Sequence, residues 1–289
     1  MSERKEVDAH SGTETTGHEW DGIKELNTPL PRWWLGIFYG CIVWAIGYWI
    51  VMPAWPLLHG YTHGLLNHSQ RDDVTAAVQA LKNARAVNEH ALGNASLQQI
   101  QSNPDLLQFA LAEGRAAFGD NCAPCHGSGA QGARGYPNLN DDVWLWGGKL
   151  GDIQHTITVG VRSTDANTRQ SQMPSFGRDN IMKPAQIDDL TEYVVHLSGR
   201  PADARAVARA SKLFAANCVA CHGADGKGNR EFGAPNLTDN EWLYGSTRND
   251  IHDQIWNGHG GVMPTWGGRL SPETIKALAV YVHSLGGGE

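Results

Sequence analysis

The chain has 289 residues, enough for two or more small domains. Its 23 Lys and Arg against 30 Asp and Glu give a net charge of −7, and no basic tract of the kind that binds nucleic acid is present. Eleven Trp, thirty-four Gly and only five Cys set the questions that follow, since four of the Cys fall in two short motifs and leave no pair for a structural disulfide.

Residues 1–32 are polar, with four Lys or Arg and seven Asp or Glu. They read as a solvated terminus with a short ordered part near Trp20 to Leu30; a partner-docking arm is the functional alternative. Trp33 to Met52 then runs WWLGIFYGCIVWAIGYWIVM, twenty residues without a charge. At about 1.5 Å per residue a helix of this length crosses a hydrocarbon core of about 30 Å. Trp33 and Trp34 at one end and Tyr48, Trp49 and Trp55 at the other suit an aromatic belt, and Pro53 and Pro56 stop the helix. The long acidic lead and the lack of a small-residue cleavage site argue against a signal peptide. The stretch reads as an uncleaved anchor, residues 33–53. Four Lys or Arg precede it and only Arg71 falls within the next twenty or so residues, so the N-terminus is expected in the cytoplasm. Cys41 lies mid-span and reads as a small apolar filler.

Residues 54–108 read as a helical connector. Val74, Val78, Leu81, Ala84 and Val87 recur at helical spacing from Asp72 to about Leu92, and Gly93-Asn94 ends that helix. A second short helix starts near Ser96. Asn103 followed by Pro104 is a cap with proline at the first helical position of a third. His59, His63, His68 and His90 are scattered here; surface histidines are the plainer reading, a metal role the sharper one.

From about residue 110 the chain repeats. Asn121-Cys122-Ala123-Pro124-Cys125-His126-Gly127 matches Asn217-Cys218-Val219-Ala220-Cys221-His222-Gly223. Pro137-Asn138-Leu139 matches Pro235-Asn236-Leu237, Trp144-Leu145-Trp146-Gly147 matches Trp242-Leu243-Tyr244-Gly245, and Met173-Pro174 matches Met263-Pro264. Each repeat reads as a helix, the Cys motif, a Gly-rich loop, a middle helix, a Met loop and a C-terminal helix. The first carries several extra residues before its Met, around Arg162 to Gln170. The expected domains are 109–199 and 200–289, with a linker near Ser198 to Ala202.

A Cys-x-x-Cys-His run lets two thiols add to the vinyl groups of a haem while the next residue ligates the iron. A Cys₄ zinc site would leave unexplained the His after each pair and the Met-Pro further on, and a thioredoxin-like pair needs a βαβ pattern that is absent. Cys122, Cys125, Cys218 and Cys221 are therefore expected to hold two covalent haems c, with His126 and His222 as proximal ligands. Met173 and Met263, two of only five Met, sit at equivalent places and are the expected sixth ligands; a thioether raises the iron's potential and fills the site for electron transfer. Met182 competes with Met173, His259 with Met263, and a Met of one repeat ligating the other's iron stays open. Trp144, Trp146, Trp242 and Tyr244 read as packing around the haems, and Arg134, Tyr136 and Arg230 as candidates for haem propionates. Residues 110–199 carry seven basic and ten acidic side chains, against nine of each in 200–289. This faintly favours the first repeat for a basic docking partner.

The lead His18-Glu19-Trp20-Asp21-Gly22-Ile23-x-Glu25-Leu26-Asn27-x-Pro29-Leu30-Pro31, the Trp-rich anchor and the two haem-binding repeats together resemble the dihaem subunit III (CcoP/FixP-type) of cbb3-type cytochrome c oxidases. The match covers nearly the whole chain. It implies a mainly α fold, one N-terminal transmembrane helix followed by two tandem class I-like cytochrome c domains. It also implies ligation by His126, Met173, His222 and Met263. Such a subunit sits in the bacterial inner membrane with its haem domains in the periplasm. It takes electrons from a soluble or anchored cytochrome c. It passes them through a monohaem subunit to the haem–copper subunit, which reduces oxygen. A free-standing dihaem carrier or dehydrogenase subunit, a dihaem peroxidase and a haem-based sensor are the rival readings.

Overall fold

A computed structural model describes residues 6–288. The chain divides into two compact units, residues 1–82 and 83–289. The first begins with an antiparallel hairpin, β1 (Thr15–Trp20) and β2 (Ile23–Leu26), in place of the largely irregular lead expected from composition. The turn is Asp21-Gly22, with φ of 47° and 86°. Asp-Gly suits the two left-handed positions of a two-residue hairpin loop, so the signal lay in the sequence.

Helix α1 (Arg32–Val51) follows, within two residues of the expected span, and is the one described helix long and apolar enough to cross a membrane. None of its residues is buried, as expected of a surface meant for lipid. A tight hairpin, β3 (Pro56–Leu57) with β4 (Gly60–Tyr61), comes next. Helix α2 (Gln70–Asn94) is longer than expected at both ends, and its stripe of Val74, Val78, Leu81 and Val87 is exposed.

The second unit is all helix and loop. Helix α3 (Leu97–Ser102) starts near Ser96 as expected, where Ser96 and Gln99 form a reciprocal capping box, and Asn103 caps α4 (Pro104–Asn121) with Pro104 in its first turn, also as expected. One helical turn, α5 (Ala123–His126), carries the first Cys motif, and α6 (Leu150–Val159) is the middle helix of that repeat. Then come α7 (Pro184–Leu197), α8 (Ala204–Asn217), the second motif turn α9 (Val219–His222), α10 (Arg248–Asn257) and α11 (Pro272–Leu285). Asp203, Thr247 and Ser271 accept backbone N–H bonds at the starts of α8, α10 and α11.

The helices do not pack repeat by repeat. Helix α11, the last of the second repeat, packs on α4 and α6 of the first, while α7 of the first repeat packs on α8 and α10 of the second. One core cluster joins Phe118, Ile153 and Ile157 to Ile275, Leu278 and Val282. The other joins Phe176, Ile187 and Leu190 to Phe214, Ile251 and Ile255. A third, Leu92, Leu97, Ile100 and Ala110 with Ala277 and Val280, fastens α2 and α3 to the first of these. The sequence repeats at 109–199 and 200–289 and the packed halves are therefore different groupings: each half takes its C-terminal helix from the other repeat.

Candidate haem pockets

Each Cys motif begins where a long helix ends. Cys122 N–H still donates to Phe118 O at 2.8 Å, and the next turn closes through Cys125 N to Cys122 O at 3.1 Å and His126 N to Cys122 O at 2.9 Å. Cys218, Cys221 and His222 repeat this at 2.9, 3.1 and 2.9 Å. One turn thus sets both thiols three residues apart with the imidazole directly after them, the spacing needed to grip a flat ring by its edge and its metal from below.

The imidazoles are oriented by the Pro-Asn-Leu motifs, whose role the repeat itself did not reveal. His126 Nδ1 lies 3.0 Å from Pro137 O, and His222 Nδ1 lies 3.1 Å from Pro235 O. A carbonyl only accepts, so Nδ1 carries the proton and Nε2 is left free to ligate a metal. Burial holds both histidines below their ordinary value, with the backbone bond opposing it, which keeps each imidazole neutral as a ligand must be. Burial also pushes the thiols of Cys122 and Cys218 up to about 11.

A cavity of ≈ 490 Å³ opens over the first motif and one of ≈ 200 Å³ over the second. Cys122, Cys125 and His126 line the first, and the Met on its wall is Met263. Cys218, Cys221 and His222 line the second, and its Met is Met173. Both Met are thus brought to a Cys motif, and each to the motif of the other repeat. Apolar walls, two thiols, one imidazole and one thioether make each cavity fit a covalent haem. Of the competitors, Met182 is out of position, while His259 lines both cavities but is held in an ion pair. Met182 is buried in the core beside the second pocket and lines neither cavity. The imidazole Nε2 of His259 pairs with Asp253 Oδ2 at 2.7 Å.

The crossing has a definite backbone form. Val161 and Met263 exchange backbone bonds of 2.9 and 3.0 Å, and Trp266 N and Gly267 N donate to Ile157 O and Thr158 O of α6. In the other half Phe176 N and Gly177 N donate to Ile255 O and Trp256 O of α10. The hinges are Gly160 (φ +71°) and Gly258 (φ +63°), which follow α6 and α10. A Cβ on Gly160 would collide with Met263 O and one on Gly258 with Met173 O, so the close approach of the exchanged loop requires glycine at both.

Leu145, Trp146, Arg162, Leu243, Tyr244 and His259 line both cavities, so the two pockets share a wall. Arg162 opens the extra residues of the first repeat. Its Nε donates to Gly261 O and its Nη1 to Ser171 O, both at 2.6 Å. Those carbonyls stand two residues before Met263 and Met173, so one guanidinium ties both Met loops. No carboxylate pairs with it among the described residues. Of the propionate candidates, Arg134 and Tyr136 line the first cavity, and Arg134 also bridges to Asp250 at 2.8 Å. Arg230 lines neither. Trp144 donates to Gly287 O at 2.8 Å, and Trp242 stacks under Arg200 with 5.2 Å from guanidinium carbon to ring centre. Among the described residues no cluster of three or more His, Cys, Asp or Glu could hold a metal ion, and His68 instead faces Asp73 at 3.3 Å.

Comparison with known proteins agrees along the whole chain. The family described as the N-terminal domain of cytochrome oxidase-cbb3, FixP, matches residues 12–59. Cytochrome c matches 111–198, and cytochrome c oxidase, cbb3-type, subunit III, matches 205–282. A cbb3-type cytochrome c oxidase subunit FixP of Bradyrhizobium sp. (strain ORS 278) is 57% identical over 290 residues, covering 100% of both chains. Subunits CcoP of Azospirillum brasilense and of Cereibacter sphaeroides are 50% and 51% identical, covering 99% and 95% of each chain. The two cytochrome c repeats carry covalently bound c-type haem.

Proposed function

The chain belongs to the FixP/CcoP family of cbb3-type cytochrome c oxidase subunits, and from that membership we propose that it is the dihaem electron-entry subunit of such an oxidase. It accepts electrons from a periplasmic cytochrome c and delivers them, through a monohaem subunit, toward the haem–copper subunit that reduces oxygen. Helix α1 anchors it in the inner membrane with residues 1–32 cytoplasmic and the haem-binding unit periplasmic. The charge asymmetry around α1 supports that orientation.

When bound, the haems supply one-electron oxidation and reduction at iron. The chain does the rest. Cys122, Cys125, Cys218 and Cys221 hold the two groups by thioether bonds. His126 with Met263, and His222 with Met173, would ligate the two irons. Two protein ligands per iron and apolar walls would leave little room for water or oxygen at the metal, which suits relay and not bond-making. The wall that both cavities share supports the reading furthest, since haems held in them would lie side by side.

The test is purification in mild detergent from native membranes through a tag on this chain. Co-purifying b-type haem, copper and cytochrome-c-driven oxygen uptake is the expected result. Recovery of the chain alone with two c-type haems, from membranes where the complex survives the detergent, would leave a free-standing carrier.

A further inference from the structure

Gln254 sits on α10, in the wall of the second pocket. Its Nε2 lies 3.8 Å from Met173 Sδ and 3.1 Å from His259 O. Both neighbours are acceptors only. Turning the amide over would set its oxygen against a sulfur lone pair and a carbonyl together, so the amide orientation is fixed by its surroundings. The left-handed turn at Gly258 is what brings His259 O back over Gln254, and the pairing of His259 with Asp253 holds that loop. Gln254 Oε1 is buried with no partner among the described residues, a cost that a side chain present only for packing would not carry.

The first pocket has no equivalent. The two middle helices align through Ile251 with Ile153 and Ile255 with Ile157, so Thr156 stands where Gln254 does. Thr156 Oγ1 donates to Asp152 O at 2.8 Å and accepts from Arg169 Nε at 2.8 Å. Its one proton is spent on its own helix, and among the described residues none donates to Met263 Sδ.

We infer that Gln254 sets the potential of one haem only, the one held by His222 and Met173, by donating a hydrogen bond to the ligand sulfur. A thioether whose lone pair is partly engaged by an N–H gives less electron density to the iron. Ferric iron needs that density more than ferrous iron does, so the bond favours the reduced state and raises the potential. The consequence is an asymmetry in an otherwise two-fold arrangement: an electron shared between the two haems is biased toward the His222 side by this bond. The inference rests on the exchanged ligation proposed above and names what distinguishes the two sites.

The experiment uses the full-length dihaem protein and its variants Gln254→Leu and Gln254→Glu, read by spectropotentiometric titration and carbon monoxide binding. Met173→Ala and Met263→Ala, each also made with His222→Ala, identify which wave belongs to which iron. In Gln254→Leu the Met173 wave falls, changing the equilibrium constant for electron exchange between the haems by about two- to tenfold, tenfold being 59 mV for one electron. The other wave stays, and neither haem gains carbon monoxide reactivity. In Gln254→Glu, which keeps the shape and puts an acceptor against the sulfur, the same wave falls further. If Leu opens the haem to carbon monoxide through lost packing, the Glu variant decides. A lowered wave with the Met retained upholds the role, and a wild-type potential overturns it. Two unmoved waves, or two waves moving together, also overturn it. A shift confined to the wave of the Met263 iron would overturn the inference while leaving the exchanged ligation intact. Met173→Ala opening the His126 iron instead would sink the exchanged ligation itself.

Discussion

The two haem pockets are built on one plan and braced in two ways. Both have a Cys motif on a helix end, an imidazole aimed by a proline carbonyl at about 3 Å, and a Met loop from the opposite repeat. The His126 half is braced by apolar packing and by the connector: α2 and α3 add a core cluster of their own, and Lys276 Nζ donates to Gly93 O and Ala95 O at 2.6 and 2.8 Å. The His222 half lacks that buttress and is tied by charge, with Arg209 on Asp189 and Arg248 on Glu192 joining α8 and the start of α10 to α7. Two copies of one fold have thus diverged where they meet the rest of the chain, while the parts that grip the cofactor stayed alike.

Breaking the exchange gives the largest expected effect. With His222 and its two Cys replaced, leaving one haem on Cys122 and Cys125, Met263→Ala opens that haem to carbon monoxide and lowers its potential, and Met173→Ala leaves it as it was. The mirror experiment, with the first motif disabled, reverses the roles. Were each Met found to serve its own repeat, the shared plan described above would be wrong.

Gly160→Ala and Gly258→Ala come next, since each forces a left-handed residue to carry a Cβ into a carbonyl of the opposite Met loop. A loss of about 1–3 kcal/mol is expected from strain of this kind, read by thermal melting of the full-length protein. Each variant should also weaken the Met bond it collides with, of Met263 for Gly160→Ala and of Met173 for Gly258→Ala. A loss of stability with both Met bonds equally affected would mean the hinges are merely structural.

Much of this was legible beforehand. The Cys motifs, the paired Met-Pro, the anchor, the helix start near Ser96 and the cap at Asn103 are local signals, each read from a few adjacent residues. The exchange is not local, because an α7-like helix fits either copy of an α8-like helix and repetition hides which is used. One clue was present: α7 and α8 are separated only by residues 198–203, and so short a link favours antiparallel neighbours. The bonds from Arg162 to Gly261 and from Gln254 to Met173 had no sequence signal, since they join residues 99 and 81 apart in the chain.

Arg162 sharpens the comparison from the opposite direction to Gln254, because it acts on both sites. Its charge lines both cavities and its bonds hold the loops ahead of both Met. Removing a half-buried cation favours ferric iron, so Arg162→Gln should lower both potentials together, with Arg162→Lys restoring part of the shift through charge alone. A single moving wave would show that the guanidinium belongs to one pocket.

Acid gives the smallest effect and tests the bracing itself. Asp189 is held below its ordinary value by its bond to Arg209, and Glu192 by its bond to Arg248 and then by the backbone N–H of Asp203. Asp250, bonded to Thr247 and Arg134, and Asp253, bonded to His259, are lowered as well, and all four belong to α7 and α10. In the other half Glu273, at the start of α11, is lowered through backbone and Ser271 bonds that cap one helix end. A carboxylate whose folded value is depressed stabilises the fold above its unfolded value. That contribution is lost as pH falls through the folded one, below the ordinary carboxylate range. Acid should therefore loosen the His222 half first, and the Met173 ligation should fail at a higher pH than that of Met263. Because the pairs are largely exposed the margin is small, and because the repeats are interlocked the readout must be the two ligand-to-iron bands, not global melting. Glu192→Gln should narrow that half's tolerance of acid by moving its ligand loss toward neutral pH. Loss of both ligands at one pH, in wild type and variant alike, would mean that the charge pairs decorate the second half and the exchanged core alone holds it.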